Sequence, residues 1–194
     1  MIDGHGLNVE LTIPPEWSRI DPVRQAVGLC VAAVLANDDL RDALAMVCAE
    51  LLENAIKYGK PDPRGVCVQL QQRPVGTQIE VTLSVTNAVE QASHHLAMLQ
   101  QRIAWIRTFD SPGEAYMAAL TTVYERAEAQ GGEGGLGLVR IAYEGGCLLD
   151  CTSPAEGVMT VLARYTIDRP GETTMPPPGP LAPPGSLPPP GALR

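Results

Sequence analysis

The chain has 194 residues and a mass of 20.6 kDa, is 45% apolar and 19% charged, and carries a formal charge of −8 with a pI near 4.8. That size and balance suit one compact core, and an acidic excess without any basic run excludes a general binder of nucleic-acid phosphates, whose affinity comes from clustered Lys and Arg. No segment has the roughly 18 uninterrupted apolar residues of a membrane span, and the opening MIDGHGLNVELTIPPEW lacks the basic start and apolar run of a secretory signal, so the sequence reads as cytoplasmic with no membrane partner.

Leu7 to Ile13 alternates enough to be a first strand, which Pro14-Pro15 stops. Asp21-Pro22 has the form of an N-cap followed by proline at the first helical position, opening a helix to about Ala36, and Asn37-Asp38-Asp39 repeats the cap signal. From Leu40 to Tyr58 the residues Leu40, Leu44, Val47, Leu51 and Ala55 recur at three- and four-residue steps, which marks a long helix with one buried stripe, ended by Gly59 and Pro61. Two β-rich runs, Gly65 to Gln71 and Gln78 to Thr86, flank the turn residues Arg73-Pro-Val-Gly76 and read as antiparallel neighbours.

Ala88 to Arg107 and Gly113 to Gln130 are further helical stretches, the second opened by Asp110-Ser111-Pro112. Leu136 to Tyr143 reads as a short helix, followed by strands Cys147 to Thr152 and Val158 to Ile167 joined across Ser153-Pro-Ala-Glu-Gly157. The outline is a mixed α/β layered domain over residues 1–169. Pro170 to Arg194 holds ten of the 18 prolines, so it cannot supply the backbone donors or apolar surface of a folded unit and reads as a disordered Pro/Gly-rich tail, residues 170–194.

The five cysteines, Cys30, Cys48, Cys67, Cys147 and Cys151, are odd in number and sit mostly in apolar segments, which fits reduced buried thiols. Adjacent His94 and His95 point in different directions on a helix and have no evident partner ligands, so they read as an ordinary, partly exposed pair. Trp105 and Phe109, four residues apart, read as core packing.

Chemistry concentrates in two places. On the long helix Glu50, Asn54 and Lys57 are spaced i, i+4, i+7, within an arc of roughly 60° bordering the apolar stripe. An acid able to polarise a hydroxyl, an amide oxygen suited to a hard cation and a cation suited to phosphate are what a magnesium nucleotide site requires. Taken alone, this edge would also suit an ordinary helix border with a Glu53–Lys57 ion pair. The second place is Gly131-Gly132-Glu133-Gly134-Gly135-Leu136-Gly137, where backbone N–H groups stand unobstructed just before a helix N-terminus and form a ready anion site. Its spacing is unlike that of a P-loop or a Rossmann loop.

Glu50-Leu-Leu-Glu-Asn54-Ala-Ile-Lys57-Tyr58-Gly59 resembles the N-box of the GHKL, or histidine-kinase-like, ATPases, and Gly134-Gly-Leu-Gly137-Leu138 resembles their later glycine box, roughly eighty residues on. Within that superfamily the stretch from about Leu7 to Ile167 is similar to small stand-alone proteins related to anti-sigma factor serine kinases, particularly biofilm-regulatory protein kinases. The resemblance implies a Bergerat-type fold, a two-layer α/β sandwich in which a mixed, largely antiparallel sheet is covered on one face by helices. It implies ATP and Mg2+ as cofactors, with Glu50 activating the attacking hydroxyl, Asn54 holding the magnesium ion and Lys57 approaching the phosphates. Gly132, Gly134, Gly135, Leu136 and Gly137 would wrap the triphosphate as part of a lid.

One departure stands out. The superfamily's Asp-x-Gly-x-Gly box, whose aspartate recognises adenine, is absent after the strand ending Ser84-Val-Thr-Asn87-Ala-Val, and Asn87 stands about where that aspartate would be. An amide oxygen there can still accept from an adenine amino group.

The function the resemblance implies is a serine/threonine protein kinase that transfers the ATP γ-phosphate to a small antagonist-type regulatory protein in a partner-switching pathway. The alternative is a catalytically inactive GHKL-fold module that regulates a partner by sequestration. The catalytic half of a sensor histidine kinase fits less well, since 194 residues leave no room for a phosphoacceptor hairpin or a membrane sensor. The sequence leaves the oligomeric state open, a homodimer included.

Overall fold

Alternation along the strands decides which face of the sheet the helices cover. In the computed structural model, which describes residues 6–130 and 136–168 with side chains as far as 124 in the helix that ends at Gln130, the elements follow one another as β1 (Asn8–Ile13), a 3-10 turn (Trp17–Arg19), α1 (Ile20–Val34), α2 (Asp38–Tyr58), β2 (Val66–Val75), β3 (Gln78–Ala88), α3 (Ala92–Ile106), α4 (Pro112–Gln130), α5 (Gly137–Glu144), β4 (Leu148–Thr152) and β5 (Val158–Asp168). The strands form one sheet in the order β1-β2-β3-β5-β4, and each neighbouring pair runs antiparallel. This is the two-layer α/β sandwich expected, with β5 inserted beside β3.

Val66, Val68 and Leu70 of β2, Ile79, Val81, Leu83 and Val85 of β3, and Ala163 and Tyr165 of β5 all point into the core. Against them pack Val27 and Val31 of α1, Leu44, Val47, Leu51 and Leu52 of α2, Ile103 of α3, and Val139 and Ile141 of α5. Each Val, Leu or Ile side chain of this layer withdrawn from water contributes about 1.5–3 kcal/mol. The other face of the sheet is polar, with Thr86 and Thr160 joined through their hydroxyls at 2.8 Å.

The caps follow the sequence in part. Asn37 is the N-cap of α2, its Oδ1 accepting from the Leu40 N–H at 2.9 Å, and Ser111 Oγ accepts from the Glu114 N–H at 3.3 Å at the head of α4. Asp21, expected as the N-cap of the first helix, lies inside α1 instead, because the turn Trp17–Arg19 runs directly into the helix. Its carboxylate pairs with Arg24 at 2.9 Å. The helix expected from Ala88 begins at Ala92, since β3 stays paired with β5 as far as Ala88 opposite Val158. Gln91, at φ 49°, makes the turn between them in the left-handed region. The β2–β3 hairpin is tighter than the loop expected, extending to Val75 and Gln78 around Gly76 at φ 59°.

All five cysteines carry free thiols. Burial pushes the Cys48 thiol up to about 12 and the Cys147 thiol up to about 11. Among the described residues no helix is long and apolar enough to cross a membrane. The segment 170–194 lies outside the described residues.

Candidate functional site

The site is built where α5 meets α2. Gly137, the first residue of α5, lies so close to α2 that a Cβ placed on it would stand 3.5 Å from Glu50 Oε2 and 3.6 Å from Asn54 Nδ2. At the other end of α5, a Cβ on Gly145 would come within 2.7 Å of Val47 Cγ2, so glycine there allows the same close approach. α5 is thus pinned to α2 at both ends. The outer side of α5 is held by stacking of Tyr143 on Tyr116 of α4, with ring centroids 5.1 Å apart.

Glu50 and Asn54, half-buried on neighbouring turns of α2, therefore face Gly137, the last residue of the glycine cluster. Of the expected glycine-box residues, Leu136 and Gly137 are described, Leu136 packing against the core; Gly132, Gly134 and Gly135 lie outside the described residues. Lys57, one turn beyond Asn54, is exposed, with its ammonium 5.4 Å from the Tyr58 ring centroid. No ion pair joins it to Glu53 among those of the described residues.

Glu50 has a partner that sequence reading missed. Arg140 of α5 donates from Nη1 to Glu50 Oε1 at 2.7 Å and pairs through Nε with Glu144 at 2.9 Å. The Glu50 side chain is 16% exposed against 45% for Arg140. Burial raises the Glu50 carboxyl above its ordinary value, and the Arg140 charge opposes that rise without cancelling it. The sequence signal was only the Arg140–Glu144 spacing of four, which reads as a surface pair.

A groove of about 360 Å³ opens beside the carboxylate, between Arg24 of α1, Asp42, Met46, Glu50 and Glu53 of α2, and Arg140 of α5. It gives a path from solvent to Glu50.

Asn87 marks the far end of the same helix. Its Nδ2 donates to Ala55 O at 3.2 Å and to Ala88 O at 3.1 Å, so the side chain ties the end of β3 to the last turn of α2. Gly59 permits this: a Cβ there would lie 2.2 Å from Ala55 O and 2.8 Å from Asn87 Nδ2. Its φ of −74° is open to any residue, so close approach rather than a left-handed turn explains the glycine. With the amide nitrogen engaged, the oxygen is the end of Asn87 suited to a ligand. Lys60, a second cation at this end, donates its N–H to Ala88 O at 2.9 Å, and its Nζ lies 3.7 Å from where a Cβ on Gly157 would stand.

Glu50 and Asn54 both face Gly137, Glu50 alone of the two lines the groove, and among the described residues no three His, Cys, Asp or Glu side chains gather where they could hold a metal ion. His94 and His95 stand apart on α3, their rings tilted by 44° with centroids 6.1 Å apart. Trp105 and Phe109 pack edge-to-face at 4.8 Å against the core, as expected.

The fold is shared with a solved structure. A chain in the crystal structure of the SiaB-SiaC complex from Pseudomonas aeruginosa superposes with a TM-score of 0.57 at 22% identity, the match covering 82% of this chain and 89% of that one. No protein-family model matches the chain, and no curated protein matches it.

Proposed function

We propose that this chain is a cytoplasmic ATP-binding regulator of the GHKL type that phosphorylates a serine or threonine on a small antagonist-type protein in a partner-switching pathway. The observation that carries the reading is the meeting of Glu50 and Asn54 with Gly137, which draws together two motifs far apart in sequence. The solved neighbour belongs to a two-protein complex, which supports a protein as the partner here.

Glu50 accepts the proton of the acceptor hydroxyl, which reaches it along the groove beside Met46, and its raised carboxyl makes it a stronger base than an exposed glutamate. Asn54 Oδ1 would offer an oxygen to magnesium, the N-terminus of α5 would supply backbone N–H groups to the phosphates, and Lys57 would add positive charge at the rim. Bound Mg-ATP supplies the transferable phosphoryl group, and the protein contributes mainly position and charge neutralisation. The test is incubation of the full chain with Mg-ATP and a small antagonist-type protein from a neighbouring gene. Label is expected on that protein, and its absence with the native chain, or persistence with Glu50→Ala, overturns the catalytic reading.

A second reading is favoured by one observation. Asn87 replaces the adenine-recognising acid and commits its amide nitrogen to Ala55 and Ala88, which suits a module that binds and sequesters a partner without transfer. Binding of the partner with no phosphate transfer supports it.

A further inference from the structure

We propose that Arg140 is a positioning residue for Glu50, fixing Oε1 so that the carboxylate is held between the groove and the start of α5. This rests on the reading of Glu50 as the base. Three observations carry the proposal. The contact is a 2.7 Å charge-assisted hydrogen bond between a Glu50 side chain only 16% exposed and an Arg140 side chain 45% exposed, so the carboxylate is shielded from water while the guanidinium reaches it from the rim. Arg140 is itself held by Glu144 one turn along α5, which leaves its guanidinium little freedom to leave Glu50. Glu50 and Arg140 also line the same groove, so a shift of the arginine would move the carboxylate relative to whatever enters there.

The other charged groups near the pair explain why an arginine is needed. Glu53 and Glu144 both repel the Glu50 charge, and the second groove cation, Arg24, is engaged by Asp21 on α1. Without Arg140, Glu50 would keep two like charges nearby and lose its direct counter-charge. A carboxylate in that position would turn outward to water and away from the start of α5.

A double-mutant cycle on the full chain tests this, using Arg140→Met to keep length and packing, Arg140→Lys to keep charge, and Glu50→Gln to remove the acid. Arg140→Met is expected to lower the thermal unfolding temperature in the native chain and to lower it by less than about half as much in the Glu50→Gln background, because a neutral amide tolerates the lost partner. In the transfer assay Arg140→Met is expected to reduce kcat roughly tenfold with KM for ATP changed by less than about twofold, and Arg140→Lys to recover part of the loss. Equal losses of unfolding temperature in both backgrounds, or a rise in KM with kcat unchanged, would overturn the proposal. If the native chain transfers no phosphate, the kinase reading falls, and the unfolding cycle alone supports or refutes the role of Arg140.

Discussion

Replacing Asn87 by aspartate would put back the acid that the resemblance leads one to expect at the end of β3, yet the structure predicts that the fold rejects it. Asn87 donates to Ala55 O and Ala88 O at 3.2 and 3.1 Å, and aspartate has no N–H to give. Losing two hydrogen bonds costs about 1 kcal/mol each, and a carboxylate at the negative end of α2 adds about 0.3–1 kcal/mol, for a total of about 2–3 kcal/mol. In a domain of this size that lowers Tm by about 5–10 °C. Thermal unfolding of the native chain, Asn87→Ala and Asn87→Asp at neutral pH is expected to place aspartate lowest. The ionised acid is disfavoured in the fold, so its folded pKa lies above the unfolded value. Its extra penalty relative to alanine is therefore present at neutral pH and fades as pH falls towards about 4. An aspartate variant as stable as the native chain would refute the assignment of Asn87 as a tie between β3 and α2.

Gly59→Ala forces a Cβ to within 2.2 Å of Ala55 O, and the required backbone shift should cost about 1–3 kcal/mol in chemical denaturation, far more than an ordinary surface substitution. Glu50 has its carboxyl raised above the ordinary 4.5, so its protonated form favours the fold and that contribution is lost as pH rises. Glu50→Gln should accordingly gain stability relative to the native chain as pH rises above the ordinary glutamate range, read from paired unfolding curves. Cys48 and Cys147, buried and with thiols pushed up to about 12 and about 11, should resist alkylation of the folded chain near pH 8, with mass-spectrometric mapping showing label there only after unfolding.

Much of the helical layer could be read from the sequence because its signals are local. The apolar stripe of α2 and the Asn37 cap lie within one element, and both appear where expected. Asp21 misled because a capping residue competes with whatever precedes it, and the turn at Trp17–Arg19 supplied the helix start first. The extension of β3 to Ala88 depended on pairing with Val158, seventy residues on, which no local pattern encodes. For the site, composition within each motif was legible, but their contact through Gly137 was only implied by resemblance. Arg140 was missed because its partner Glu50 is 90 residues away while Glu144 offers an obvious local one. Asn87 had the opposite fate: its place was noticed, but its tie to the last turn of α2 needed the fold to bring Ala55 beside it.

The proposed magnesium nucleotide between Glu50, Asn54 and the start of α5 is tested most directly by isothermal calorimetry of the full chain with Mg-ATP. Saturable binding by the native chain is expected, with at least a roughly tenfold weaker affinity for Asn54→Ala, a loss of about 1.4 kcal/mol or more. No binding heat and no thermal shift with the native chain, or equal affinity in the variant, would contradict it.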